Sequence, residues 1–217
     1  MSEPTILTPP PSSVFTAKSA YSLAVVAGLA VLARTAARTL LPKDARWQDR
    51  VAFIWLTFDA LIHVIIEGSF IAMSVFGRTV NTSSGVFAEM WREYVAADAR
   101  WGTADPTVVS LELLTVFGAS PLAMLIVYQI VRRDPARHYW IVVLCTAELY
   151  GGWMTFCPEW LTGSPSLDTS NALFFWVYLV FMNILWVIIP LWLMYDSYTH
   201  IAGSLRSAQA GKLRKAE

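Results

Sequence analysis

The sequence predicts an all-α integral membrane protein, a five-transmembrane-helix bundle with an intramembrane cavity. Three observations predict it. The 217 residues are 56% hydrophobic, with 10 Trp and a mean hydropathy of +0.49. The apolar residues gather into runs of about 20, the length that crosses a ~30 Å hydrocarbon core as a helix. One run, residues 51–77, carries Asp59, His63 and Glu67 at intervals of four. Residues four apart share a helix face, so the three form one polar stripe. Such a stripe fits a bundle interior or a wet cavity, because a charge at mid-membrane costs about 2.5–3.5 kcal/mol on insertion scales. Barrel strands would alternate polar and apolar residues, and these runs do not.

The N-terminus, MSEPTILTPPPSS, is polar and Pro-rich, lacks a signal-peptide pattern, and reads as a flexible tail over 1–19. The first span is expected at about Ala20–Leu41, with Arg34 and Arg38 snorkelling at its end. The second is Val51–Phe76. The third, about Thr107–Val131, holds Glu112 and Thr115 and is expected to kink at Pro121. The fourth, about Tyr139–Phe156, holds Glu148, Tyr150 and a flexible Gly151-Gly152 pair. The fifth, about Ala172–Tyr195, holds Asn183 and a late Pro190. Together 20–195 form the membrane domain, and 196–217 a basic C-terminal tail.

Between spans two and three, FAEMWREYVAADARW has helical spacing. It predicts an interfacial helix with aromatics at headgroup depth, acting either as an anchor or as a lid over the cavity.

Basic residues set the orientation. Arg34, Arg38, Lys43, Arg46 and Arg50, then Arg132, Arg133 and Arg137, then Arg206, Lys212, Arg214 and Lys215 fall on one side. Lys18, Arg78, Arg92 and Arg100 are left for the other. The C-terminus is therefore expected in the cytoplasm. Asn81-Thr82-Ser83 is a glycosylation sequon on the opposite side, close to span two. The final RKAE resembles a basic retrieval signal for the endoplasmic reticulum. Cys145 and Cys157 make no metal or disulfide pattern, so no metal is expected. The net charge of +0 gives no argument for nucleic acid, and no nucleic-acid partner is expected.

The intramembrane polar groups are Asp59, His63, Glu67, Glu112, Thr115, Glu148, Tyr150 and Asn183. A carboxylic acid in an apolar site keeps a proton at neutral pH, and a histidine beside it exchanges one. Such a pair supplies a general acid and a general base. Trp186, three residues from Asn183, offers a ring face to a cation. This set suits protonation of a carbon–carbon double bond, retention of the carbocation, and removal of a different proton. Taken singly, the same residues also serve as interhelical hydrogen bonds, packing or a transport relay. From the residues alone, catalysis, ligand binding and proton-coupled transport all remain open.

LIHVIIEG (61–68), MWREYVAADARW (90–101), LELLT (111–115), ELYGG (148–152) and FWVYLVFMNILWVIIP (175–190) resemble the emopamil-binding protein family (EXPERA domain) over about Trp47–Tyr195. Its best-known members are Δ8–Δ7 sterol isomerases of the endoplasmic reticulum. The resemblance implies a five-helix bundle whose cavity takes a sterol within the membrane. It implies catalytic roles for His63, Glu67, Glu112, Thr115, Asn183 and Trp186. His63 and Glu112 would be the proton-handling pair, Asn183 would orient Glu112, and Trp186 would face the cation. Substrate contacts are expected from Asp59, Tyr94, Trp101, Glu148, Tyr150 and Trp176. No cofactor is implied, because isomerisation needs only proton transfer. The expected partners are a hydrophobic sterol or isoprenoid substrate and membrane lipid, with a homodimer left open.

The sequence also departs from the family pattern. Glu148 stands for a usual Gln and Gly152 for an Asp. The loop FCPEWLTGSPS lacks the usual acidic-His character, Asp59 adds a carboxylate, and Trp101 replaces a Tyr. The leading expectation is Δ8 to Δ7 sterol isomerisation. The same acid-initiated chemistry on a polyprenyl chain would make an isoprenoid or meroterpenoid cyclase. A non-catalytic sterol- or amine-binding protein comes third. A proton-coupled transporter comes last, since two-fold repeats are absent.

Overall fold

A computed structural model describes residues 15–215. Most of the expected N-terminal tail, and the last two residues of RKAE, lie outside the described residues. Five helices are long and apolar enough to cross a membrane. They are α1 (Ala17–Leu40), α2 (Trp47–Ser74), α4 (Pro106–Val131), α5 (Arg137–Leu161) and α6 (Phe174–Leu213). A shorter helix, α3 (Val86–Val95), lies between α2 and α4. Among the described residues there is no β-strand, only one bridge between Asp98 and Leu167.

Local chemistry sets the starts. Thr16 and Ser19 form a reciprocal cap on α1. Asp105 accepts from the Thr107 and Val108 amides, with Pro106 in the first turn of α4. The Gly151-Gly152 pair does not break α5, which continues through it for 25 residues. Likewise α6 does not stop at Tyr195 but continues to Leu213. At 1.5 Å per residue it is about 60 Å long, roughly twice the hydrocarbon core.

Helix α2 is the central element, packed against α1 and α4, while α5 packs against α6 and α4. Phe53, Leu56 and Phe70 of α2 are fully buried. Ala33 and Ala37 of α1 are also buried, small residues that let two helices approach closely. At one end, Arg133 pairs with Asp44, Arg137 with Asp49, and Arg46 with Asp196. The loop after α1, the loop before α5 and the distal part of α6 therefore meet on one side.

At the other end α3 crosses the bundle, and its aromatics turn inward. Trp91 donates its indole N–H towards Ile66 O (3.2 Å) and Ser69 Oγ (3.0 Å), and its ring stacks on Trp101 at 4.9 Å. Both indoles are buried over the end of the cavity, the placement expected of a lid, while Phe87 of α3 stays exposed. Gly102 allows the close approach beneath it, since a Cβ there would sit 2.6 Å from Val95 Cγ1 and 2.8 Å from Asn81 Nδ2.

Three helices carry one widened turn each, at residues 62–67 of α2, 115–119 of α4 and 174–181 of α6. There the amide bonds back five residues instead of four, as in Gly68 N–H to His63 O, Ser120 N–H to Thr115 O and Met182 N–H to Val177 O. Widened turns of this kind occur often at functional sites. The one in α4 falls just before Pro121, where a proline ring cannot follow a regular turn. The widened turns of α2 and α4 pack against each other.

Candidate active site

The bundle holds a cavity of about 1620 Å³ that is not fully enclosed. It exceeds the ~300–1,000 Å³ usual for drug-sized ligands. Its lining is almost wholly apolar except for a band that includes His63, Glu67, Glu112, Thr115, Glu148 and Asn183.

The polar stripe of α2 is real and continuous. His63 Nδ1 lies 2.5 Å from Glu67 Oε2, and His63 Nε2 lies 3.1 Å from Asp59 Oδ1. The Glu67 carboxylate accepts, so Nδ1 carries a proton. The widened turn brings Glu67 onto Glu112 and Thr115 of α4. The Thr115 hydroxyl reaches both Glu112 O and Glu112 Oε2 at 2.9 Å. On the other side of His63, Glu148 of α5 faces Asp59, and suitable atoms of Asp59, His63 and Glu148 lie within 4.8 Å of one another.

Trp186 of α6 donates to Asp59 Oδ1 at 2.8 Å. Its ring packs on Trp55 at 5.0 Å and on Phe58 at 6.0 Å. Three aromatic rings thus wall the cavity beside the imidazole. Trp55 and Phe58 were not singled out from the sequence. The signal was present for Trp55, which extends the four-residue spacing of 59, 63 and 67 by one step.

Other expected residues are placed as follows. Tyr94 and Trp101 line the lid end of the cavity, and burial pushes the Tyr94 phenol up from its ordinary value. Tyr150 reaches the cavity wall although most of its side chain faces outward. Asp59 does not line the cavity. It is fully covered, and it holds Trp186 and His63 in place.

Besides Asp59, two expectations need correction. Trp176 is 62% exposed on the outer face of α6 and does not line the cavity. The widened turn at 174–181 rotates it away from the face that carries Tyr178 and Asn183. Asn183 does not bond Glu112. Its amide donates to Tyr178 O at 2.9 Å and to Leu179 O at 3.1 Å, both carbonyls of its own helix.

Two groups have metal-like donor sets. His138, Asp196 and His200 meet at the end where the basic loops gather, but Arg46 already sits 2.7 Å from His200 Nε2. That guanidinium occupies the position a cation would take. Asp59, His63 and Glu148 form the second set, within the site just described.

The family model described as EBP, EXPERA (expanded EBP superfamily), matches residues 86–197. The chain is 28% identical over 155 residues to a 3-beta-hydroxysteroid-Delta(8),Delta(7)-isomerase of Cavia porcellus, covering 71% of this chain and 66% of that protein. It is 31% identical over 158 residues to a probable enzyme of the same name from Oryza sativa subsp. japonica, covering 73% and 70%. A protoglabretal synthase of Citrus sinensis is 26% identical over 168 residues, covering 77% of each chain. The chain thus spans about two thirds of the length of the isomerases it matches. These matches, to a chain with five membrane-length helices, place it in the expanded emopamil-binding protein (EXPERA) superfamily.

Proposed function

We propose that the protein is a membrane isomerase that moves a double bond in an isoprenoid lipid, with a Δ8-sterol as substrate and a Δ7-sterol as product. The observation that carries this reading is one arrangement. An imidazole hydrogen-bonded to one carboxylate, with a second carboxyl facing that carboxylate, opens into a large apolar cavity with an aromatic wall. His63 and Glu112 handle protons, and Glu67 connects them. Thr115 orients the Glu112 carboxyl, and the Trp186, Trp55 and Phe58 rings face the cation formed between protonation and deprotonation. Asn183 acts by holding the widened turn of α6 and not by contacting Glu112. No cofactor is required for a net isomerisation. The names of the matched isomerases support the sterol as substrate.

The direct test is a product assay. The chain is expressed in yeast lacking its own sterol isomerase, and the lipids are analysed by mass spectrometry. Return of Δ7-sterols is expected. Accumulation of Δ8-sterols alone overturns the sterol assignment. The reading also places the protein in the endoplasmic reticulum membrane, with the end that gathers Arg46, Arg133 and Arg137 facing the cytoplasm together with the C-terminus.

A second reading is acid-initiated ring closure of an isoprenoid. Asp59 and Glu148, the two carboxylates that depart from the family pattern, favour it. They lie together beside His63, where a different substrate would meet a different acid. Prenylated and epoxidised chains fed to the same strain separate the two readings.

A further inference from the structure

Four buried polar atoms without a hydrogen-bond partner gather on one side of His63. They are Asp59 Oδ2, His63 Nε2 and both carboxyl oxygens of Glu148. Asp59 is fully buried, His63 is 2% exposed and Glu148 is 9% exposed. An unsatisfied buried polar atom costs about 1–3 kcal/mol, and native proteins hold few of them. Four at one point indicate protons shared among these groups. His63 Nδ1 is committed to Glu67, while Nε2 faces Asp59 Oδ1 at 3.1 Å without completing a hydrogen bond. A proton on the acids satisfies it. Two carboxyls facing each other in an apolar site do not both ionise, and one shared proton serves both.

On the opposite side of the ring Glu67 faces Glu112, whose Oε2 accepts from the Thr115 hydroxyl. His63 therefore stands between two carboxyl pairs, Asp59 with Glu148 at Nε2 and Glu67 with Glu112 at Nδ1. The outer members, Glu148 and Glu112, both line the cavity. They approach it from different helices, α5 and α4. A double-bond shift adds a proton at one carbon and removes one from another, so two outlets suit it better than one.

We infer that Glu148 and Asp59 form a second proton-handling pair for the isomerisation, with Glu148 as a catalytic residue facing the substrate and Asp59 as the positioning residue that joins it to His63. This inference rests on the isomerase reading. The Glu112 O–H bond breaks, and the alkene π pair forms a C–H bond with that proton, leaving a carbocation. A C–H bond next to the cation then breaks. Its electron pair becomes the new double bond, and its proton goes to the Glu148/Asp59 pair. That pair passes one proton through Asp59 to His63 Nε2, and His63 Nδ1 gives its proton to Glu67, which recharges Glu112. Each carboxyl pair again shares one proton, and no atom is gained or lost. The imidazole is left protonated on Nε2, and exchange with water as product leaves restores Nδ1–H.

The test uses the full chain in membranes of the isomerase-deficient yeast and in detergent, with Glu148→Gln, Asp59→Asn and the double variant. A labelled hydrophobic tertiary amine, as a cation mimic, reports whether the cavity is intact. In Glu148→Gln, kcat is expected to fall about 100-fold or more with the amine's affinity unchanged, because an amide keeps the shape but transfers no proton. The double variant is expected to be no slower than the slower single one, as for groups that act as a unit. Wild-type kcat in Glu148→Gln overturns the proposal. So does loss of amine binding together with turnover, which marks a structural role. A metal ion bound one per chain and lost in Glu148→Gln also overturns it, since Asp59, His63 and Glu148 would then be metal ligands. If the wild-type chain shifts no double bond in any sterol supplied, the isomerase reading fails first and this inference falls with it.

Discussion

The indole N–H of Trp186 donates to Asp59 Oδ1 at 2.8 Å, and this bond joins α6 to α2 one helical step from His63. The same ring forms part of the cavity wall. Trp186→Phe keeps an aromatic face but removes the donor, leaving a buried carboxylate oxygen short of a partner. The variant is expected to lose about 1.5–3 kcal/mol of stability, the usual worth of a hydrogen bond to a charged group. Turnover is expected to fall with it, because Asp59 is then free to shift against His63. Thermal unfolding in detergent and turnover on the same preparation check both. An unchanged melting temperature would show that the bond carries no load.

Glu112 and Thr115 separate chemistry from orientation. Glu112→Gln is expected to abolish turnover, a loss of about 100-fold or more, while the helices still assemble. Thr115→Val removes the hydroxyl that reaches Glu112 Oε2 at 2.9 Å. One neutral hydrogen bond is worth about 1 kcal/mol, so that variant is expected to slow by about fivefold. Circular dichroism and turnover of each variant read this directly. Full activity in Glu112→Gln would remove the residue from the mechanism.

A hydrophobic tertiary amine is expected to inhibit by standing where the carbocation forms, between Glu67 and the Trp186 ring. Transition-state mimics of this kind bind more tightly than substrate. Glu67→Gln is expected to weaken the amine, since it removes a negative charge from that place. Titration of turnover against amine, in wild type and variant, tests it. Full activity at saturating amine would count against a cationic intermediate.

The helix-period signals were legible because they are local. Asp59, His63 and Glu67 share a face by spacing alone, and the five spans follow from length and hydropathy. The widened turns were not legible, since a five-residue hydrogen bond costs local regularity; those of α2 and α4 pack against each other. The widened turn of α6 decides what Asn183 and Trp176 do. Asn183 spends its amide on carbonyls of its own helix, and Trp176 turns outward. The partnership of Asp59 with Glu148 was equally hidden. They are 89 positions apart, and only the tertiary fold brings them together. The inward turn of Trp91 and Trp101 was one of two open arrangements, because an amphipathic segment beside a membrane fits a lid as well as an anchor.

The lid itself is held by Arg100. Its guanidinium makes two bonds to Asp98, Nε to Oδ1 at 2.9 Å and a terminal nitrogen to Oδ2 at 2.6 Å, and a third to Thr155 O at 2.7 Å. Burial opposes its charge, but the Asp98 carboxylate outweighs this and raises the Arg100 pKa above its ordinary value. Around it, Ala99 N–H donates to Ser166 O and Asp168 N–H to Ala97 O, so the segment before α4 is stitched to the loop after α5. Asp98 is fully buried. Arg100→Met would leave that carboxylate without a counter-charge, and breaking a buried pair in this way costs about 3–5 kcal/mol. Arg100→Met combined with Asp98→Asn removes the orphaned charge and is expected to recover part of that loss. Because Trp101 follows directly and stacks on Trp91 over the cavity, KM should rise more than kcat falls in the single variant. Melting curves of the single and double variants, read with their KM values, test the clasp. Equal stability of wild type and Arg100→Met would mean that the hydrophobic contacts of Trp91 and Trp101 hold the lid without it.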